Sequence, residues 1–238
     1  MTIVNFRLTE REVCILSDTL FCDLENGAPC GMAVKLFPLD GMGGVVVGLG
    51  LWSFIEAWGF NTGSFGSRDG VRRMNDVAQE RLEKLFVYHV GDDDANTLMS
   101  TIYHFGYDKL RKGFIGYRYR SETGFRPKKL RPGNVTHPWI DFDLERNPSA
   151  KFPEDFIAYA HRQRAQLEKE GKPPLGGQLV VHRLTLEEGP EGTTVVATQS
   201  ACHTYPEYEP LCEKLGLEIP VVDEVTVRWP VENRKVRA

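Results

Sequence analysis

The stretch Thr2-Ile3-Val4-Asn5-Phe6-Arg7-Leu8-Thr9-Glu10-Arg11-Glu12-Val13-Cys14-Ile15-Leu16-Ser17 decides how the rest of the chain is read. Thr2–Leu8 and Glu12–Ser17 are short runs rich in β-branched and apolar residues, and the polar Thr9-Glu10-Arg11 between them is a hairpin signature. Met32–Pro38 is a third strand-like run. Gly44–Leu49 is a fourth, apolar on both sides, as a central buried strand would be.

Helical spacing follows these strands. Leu51–Trp58 fits a short helix. In Val71–Tyr88 the apolar Val71, Met74, Ala78, Leu82 and Leu85 recur on one face, opposite Arg72, Arg73, Gln79, Glu83 and Lys84, and Asp69 stands where an N-cap would. Ser100–Asp108, Phe114–Ser121 and Arg126–Leu130 return to strand chemistry as a meander. A further helix is expected over Pro153–Lys169, ending at Gly171 with Pro173-Pro174 beyond. Gln178–Glu187 and Thr193–Ser200 are joined by Glu188-Gly189-Pro190-Glu191-Gly192 as a hairpin. The last forty residues carry several prolines and a basic end (Arg234, Lys235, Arg237). The order predicts an α+β fold of two antiparallel sheets face to face with helices outside. One domain is expected over 1–200, followed by an arm or extension over 201–238.

Composition narrows the function classes. The 238 residues are 41% hydrophobic, 11% aromatic and 26% charged, with a formal net charge of −4. Those are the proportions of a soluble globular protein with no built-in need for nucleic acid or a membrane surface. The five cysteines contain no CxxC pair, and the six histidines have no ligand spacing, so neither a disulfide framework nor a metal site is expected. The start lacks a basic and apolar leader pattern, and Gly41–Ile55 is too short to span a bilayer, which together predict a cytoplasmic protein. Lys109–Arg131 holds nine basic residues interleaved with Phe114, Tyr117, Tyr119 and Phe125. An exposed β face or a subunit contact explains that run better than a nucleic-acid surface does.

Chemistry concentrates near the amino end. Loss of Met1 would leave Thr2 as the first residue, carrying a hydroxyl nucleophile and its own α-amine as base; an unperturbed α-amine has a pKa of about 7.7–8.0, suited to accepting a proton at neutral pH. Asp18 ends the second strand and Lys35 sits on the third. A lysine beside the hydroxyl lowers its pKa and stabilises developing negative charge, and a carboxylate keeps that lysine charged and oriented. Gly48-Leu49-Gly50 is too short for a phosphate loop, and Gly63-Ser64-Phe65-Gly66 lacks the pattern of a nucleophile elbow. Gly48 and Gly50 permit close backbone approach, for an oxyanion hole or a tight strand-to-helix turn.

Thr2-Ile3-Val4, Ile15-Leu16-Ser17-Asp18-Thr19, Val34-Lys35-Leu36-Phe37-Pro38-Leu39 and Gly48-Leu49-Gly50 together resemble the opening of proteasome β-subunits and of the related bacterial ATP-dependent peptidases. Thr2, Asp18 and Lys35, spaced by 16 and 17 residues, match the family's catalytic threonine, aspartate and lysine. The resemblance implies a four-layer αββα sandwich of the N-terminal-nucleophile (Ntn) hydrolase kind and threonine-type peptidase or amidohydrolase activity. It also implies a peptide or protein substrate, no cofactor, and a homo-oligomeric ring. The family's supporting aspartate and serine before Gly176-Gly177 have no counterpart in Gly171-Lys172-Pro173-Pro174-Leu175. A catalytically inactive scaffold or assembly protein of the same fold is therefore the alternative.

Overall fold

The Thr9 hydroxyl accepts hydrogen bonds from the amides of Arg11 and Glu12, at 3.3 and 2.9 Å, and this turn folds the second strand back on the first. The computed structural model describes residues 2–23, 25–39, 41–62, 70–91, 98–140, 144–217, 222 and 224–233. Asp69, Gly63-Ser64-Phe65-Gly66 and the basic end lie outside them, as does Met1. The strands are β1 (Val4–Leu8), β2 (Glu12–Asp18), β3 (Leu20–Cys22), β4 (Pro29–Met32), β5 (Leu36–Leu39), β6 (Gly44–Leu49), β7 (Thr101–Asp108), β8 (Gly113–Arg120), β9 (Lys128–Lys129), β10 (Gly133–Val135), β11 (Gln178–Gly189), β12 (Gly192–Thr204) and β13 (Val225–Asn233). The helices are α1 (Trp52–Thr62), α2 (Gly70–Val90), α3 (Glu154–Lys169) and α4 (Tyr208–Leu215).

One sheet has the order β10-β1-β2-β11-β12-β13 and the other β5-β6-β7-β8-β9, while β3 and β4 form a small hairpin of their own. All the pairings are antiparallel. Val4, Phe6 and Leu8 of β1, Val13 and Ile15 of β2, and Val180 and Leu184 of β11 alternate onto one face, as the two-residue strand period dictates. They meet Val45, Val47, Tyr103, Phe105 and Phe114 of the second sheet in a shared core. Phe6 stands edge-on to Tyr103 and Phe105, with centroids 5.2 and 4.9 Å apart.

The opposite faces carry the helices. α1 and α2 bury Phe54, Ile55, Trp58, Met74, Ala78 and Leu82 against Val46, Ile102 and Tyr119 of the second sheet. The absence of a side chain at Gly106 lets α2 in, since a Cβ there would lie 2.2 Å from Val71 Cγ2. On the first sheet, α3 buries Phe156, Tyr159, Ala160 and Leu167 against Ile3, Leu16 and Leu179. No described helix is long and apolar enough to cross a membrane.

Two expectations need correction. The α+β, four-layer αββα sandwich is replaced by a mainly β architecture, with about 40% strand against 29% helix in four helices among the described residues. The reason lies at the carboxyl end, where the sequence reading undercounted strand. β12 runs through residue 200, and β13 pairs with it from Gly192↔Asn233 to Gln199↔Val225. The expected boundary between 200 and 201 thus falls inside a strand, and the supposed arm supplies the edge of the six-stranded sheet. Trp229 and Val231 of β13 enter the inter-sheet core, each 9% exposed. Prolines at 206, 210 and 230 suggested an appendage, yet Pro206 and Pro210 flank and enter α4, and Pro230 sits on an edge strand, where a missing N–H is tolerated.

Trp229→Ala is therefore expected to destabilise the protein by about 3–5 kcal/mol, the usual cost of emptying a buried aromatic site. Urea unfolding measures it, and a loss under about 1 kcal/mol would remove β13 from the core.

Candidate active site

Lys35 is 2% exposed and Asp18 is fully buried, so each charge needs local partners to be tolerated. Lys35 Nζ lies 3.0 Å from Asp18 Oδ1, 3.0 Å from Thr2 Oγ1 and 2.5 Å from the Leu20 carbonyl oxygen. Three acceptors match the three N–H bonds of an ammonium group. Thr2 is half-buried, so the hydroxyl acceptor belongs to the least buried of the three partner residues. Burial pushes the Lys35 pKa below the ordinary lysine value, and the Asp18 carboxylate opposes that shift by charge and hydrogen bond.

Asp18 also fixes backbone. Its Oδ1 accepts the Ile3 amide at 2.8 Å, next to the candidate nucleophile, and its Oδ2 receives the Gly176 amide at 3.5 Å. One carboxylate thus orients both the lysine and the residue that follows Thr2. The neighbouring Thr19 ties the same corner together: its hydroxyl accepts from the Gln178 amide at 2.8 Å and its carbonyl from the Ala33 amide at 2.9 Å. Gly177 crosses this corner at φ +78°, where a Cβ would lie 2.3 Å from Thr19 Oγ1. Both its dihedral angle and its close approach exclude a side chain.

The five residues singled out in the sequence divide unequally. Thr2, Asp18 and Lys35 converge within hydrogen-bonding distance. Gly48 follows Val47 on β6, the partner of Leu36 at the start of β5. A Cβ on Gly48 would meet Ile55 at 2.6 Å, so its missing side chain also serves helix packing. Gly50, at φ +111°, belongs to the strand-to-helix turn; its surroundings are Ser100 and Met99, and the Leu51 amide donates to Ser100 Oγ at 3.2 Å.

Comparison with protein families finds no match. Comparison with curated proteins also finds none.

Sequence reasoning missed three groups that hold the triad: the Leu20 carbonyl, the Ile3 amide and the Gly176 amide. All three are backbone groups, and backbone carries no residue-type signal. Elsewhere, Trp58 Nε1 donates to His104 Nε2 at 2.8 Å, and burial lowers the His104 pKa to about 3, making it a neutral core histidine. All five cysteines are free thiols. Among the described residues no cluster of three or more His, Cys, Asp or Glu side chains is placed to share a metal ion.

Asp18→Asn is expected to cost about 3–5 kcal/mol, because it leaves a buried ammonium without its counter-charge. Asp18→Leu combined with Lys35→Met should recover most of that loss. The wild type carries a pH signature of the same burial. Between the depressed Lys35 pKa and the unfolded value of about 10.4 the unfolded chain binds more protons, so stability from this group rises with pH. Urea midpoints across that window, compared with Lys35→Met, test the sign; a wild type that loses stability relative to Lys35→Met as pH rises would contradict it.

Proposed function

We propose that the chain is a threonine-type amidohydrolase or peptidase, with Thr2 as nucleophile once Met1 has been removed. The observation that carries this reading is the 3.0 Å contact between Lys35 Nζ and Thr2 Oγ1, backed by Asp18. An ammonium donating to a hydroxyl oxygen favours the alkoxide-like form that attacks a carbonyl. The resemblance of residues 2–50 to proteasome β-subunits supports the same assignment.

In this mechanism Thr2 Oγ1 forms a bond to the scissile carbonyl carbon while its proton passes to the freed α-amine. The carbonyl π pair moves onto oxygen, where the Gly48 amide is the candidate donor and Gly50 the more distant one. Collapse breaks the C–N bond, and the leaving amine takes the proton from the α-amine. Water then adds to the Thr2 ester, again with the α-amine as base, and releases the acid. Lys35 holds its charge throughout and stabilises the oxygen of Thr2, while Asp18 fixes Lys35 and the Ile3 amide. None of these steps calls on a cofactor. A peptide or protein substrate, a homo-oligomeric ring and a cytoplasmic location accompany this reading through the family resemblance.

The test joins mass spectrometry to a covalent probe. Intact mass should show loss of methionine, and a β-lactone should add once, on Thr2. Thr2→Ala should abolish the adduct, and Lys35→Met should slow its formation by at least about 100-fold, as removal of one oxyanion-type donor does. The rate should rise with pH as the α-amine deprotonates, near an ordinary value of about 7.7–8.0. Retained methionine with no adduct would instead favour the non-catalytic scaffold.

A further inference from the structure

Two polar groups on the α3 side of the first sheet are left with complementary needs. The first is Asp18 Oδ2. Its sister oxygen takes two close donors, at 2.8 and 3.0 Å, whereas Oδ2 has the Gly176 amide at 3.5 Å, the outer limit of a hydrogen bond. Of the two oxygens of this fully buried carboxylate, Oδ2 is the less well satisfied. The second is the hydroxyl of Tyr205. Tyr205 is 4% exposed, and its phenol oxygen has no hydrogen-bond partner among the described residues. An unmet buried hydroxyl is costly.

The fold brings the two toward one another. Asp18 pairs with Leu179 across β2 and β11, and Leu179 pairs with His203 across β11 and β12, so these residues form one line across the sheet. Tyr205 follows two residues after His203, and its amide donates to the Gly177 carbonyl at 3.0 Å, beside the Gly176 amide that reaches Asp18. Its ring packs in the same cluster as Ile3, Leu16, Leu175 and Leu179, beneath the Arg164 guanidinium at 4.3 Å. Burial pushes the phenol pKa up, with the Arg164 guanidinium opposing that shift and the Asp18 charge adding to it, so the hydroxyl keeps its proton.

We propose that Tyr205 is a positioning residue for the candidate site: its hydroxyl donates, through one bridging water molecule, to Asp18 Oδ2. That bond sets the rotation of the carboxylate, and with it the bonds from Oδ1 to the Ile3 amide and to Lys35. This inference rests on the hydrolase reading only for its catalytic consequence. It adds a tyrosine side chain from the carboxyl-terminal part of the chain to the backbone groups that already hold the triad.

The experiment compares Tyr205→Phe with Tyr208→Phe, a control that removes another buried phenol hydroxyl. Phe keeps the ring and its packing, so the variant retains the core contacts on which folding depends. Amide hydrogen exchange is followed at Ile3, together with the β-lactone reaction of Thr2. Tyr205→Phe should speed Ile3 exchange about tenfold, the effect of losing one hydrogen bond to a charged group, and should lower kinact by a similar factor with KI unchanged. The rest of β1 and the melting temperature should stay as in wild type, and Tyr208→Phe should leave Ile3 unchanged. Unaltered Ile3 exchange in Tyr205→Phe, or faster exchange spread evenly over β1 and β2, would overturn the proposal. Selective acceleration at Ile3 in a protein whose wild type takes no probe would support the positioning role while removing the hydrolase reading.

Discussion

Taking one ammonium group out of water is the constraint around which the amino-terminal half is arranged. Lys35 lies at the end of a β-sandwich core, where an unpaired charge would not be tolerated. Its three acceptors come from three places: a side chain before β1, a side chain ending β2 and a backbone carbonyl opening β3. No two of these could drift apart without leaving a donor unmet. The pairing of β1 with β2, the short β3–β4 excursion and the return into β5 therefore close on a single nitrogen atom. The polar end of that nitrogen points toward a half-buried hydroxyl.

Such precision needs rigid walls, which the apolar layers on either side supply. Toward the second sheet, Phe6 wedges between Tyr103 and Phe105 two residues beyond Val4, and the strand cannot slip by one residue without turning Val4, Phe6 and Leu8 away from that core. Toward α3, Ile3 and Leu16 pack with Phe156 and Tyr159. Ile3 and Val4 thus anchor on opposite faces, so the backbone immediately after Thr2 is clamped from both sides. A buried network repeats the clamp in polar form: Asn5 Nδ2 donates to Gln163 Oε1 at 2.7 Å, and Asn5 Oδ1 accepts from the His137 backbone amide at 3.1 Å.

Much of this was legible in the residues, though unevenly. The strands around Asp18 and at Gly44–Leu49 and the helices beginning near Val71 and Glu154 follow periodicities that burial enforces. The three polar residues of the site were legible because side-chain chemistry is written in residue identity. The β3–β4 hairpin was not, since Leu20-Phe21-Cys22 and Pro29–Met32 are too short for a period and a bulge shifts their pairing. The fold class went astray over β12 and β13. Cys202 and His203 carry little strand signal and Pro230 interrupts the strand-like run Val225–Trp229; they form strand because β12 extends along β11 and β13 along β12. Tyr205 was equally hidden: only the pairing of β2, β11 and β12 sets it near the line of Asp18, some 190 residues earlier in the chain.

The character of the Lys35 pair bears on why the chain carries it at all. Apolar residues of similar volume commonly fill such a position with equal or better stability, since they avoid stripping two charges of water. Internal cohesion alone is thus a poor reason for an ammonium here. All three N–H groups of a buried ammonium need acceptors, and here the third goes to a threonine hydroxyl on a half-buried residue. A lysine whose burial lowers its pKa, held charged by a carboxylate and presented to an alcohol, is instead what acyl-transfer chemistry requires of its surroundings. The stability forgone in placing it is what the proposed hydrolase function would account for.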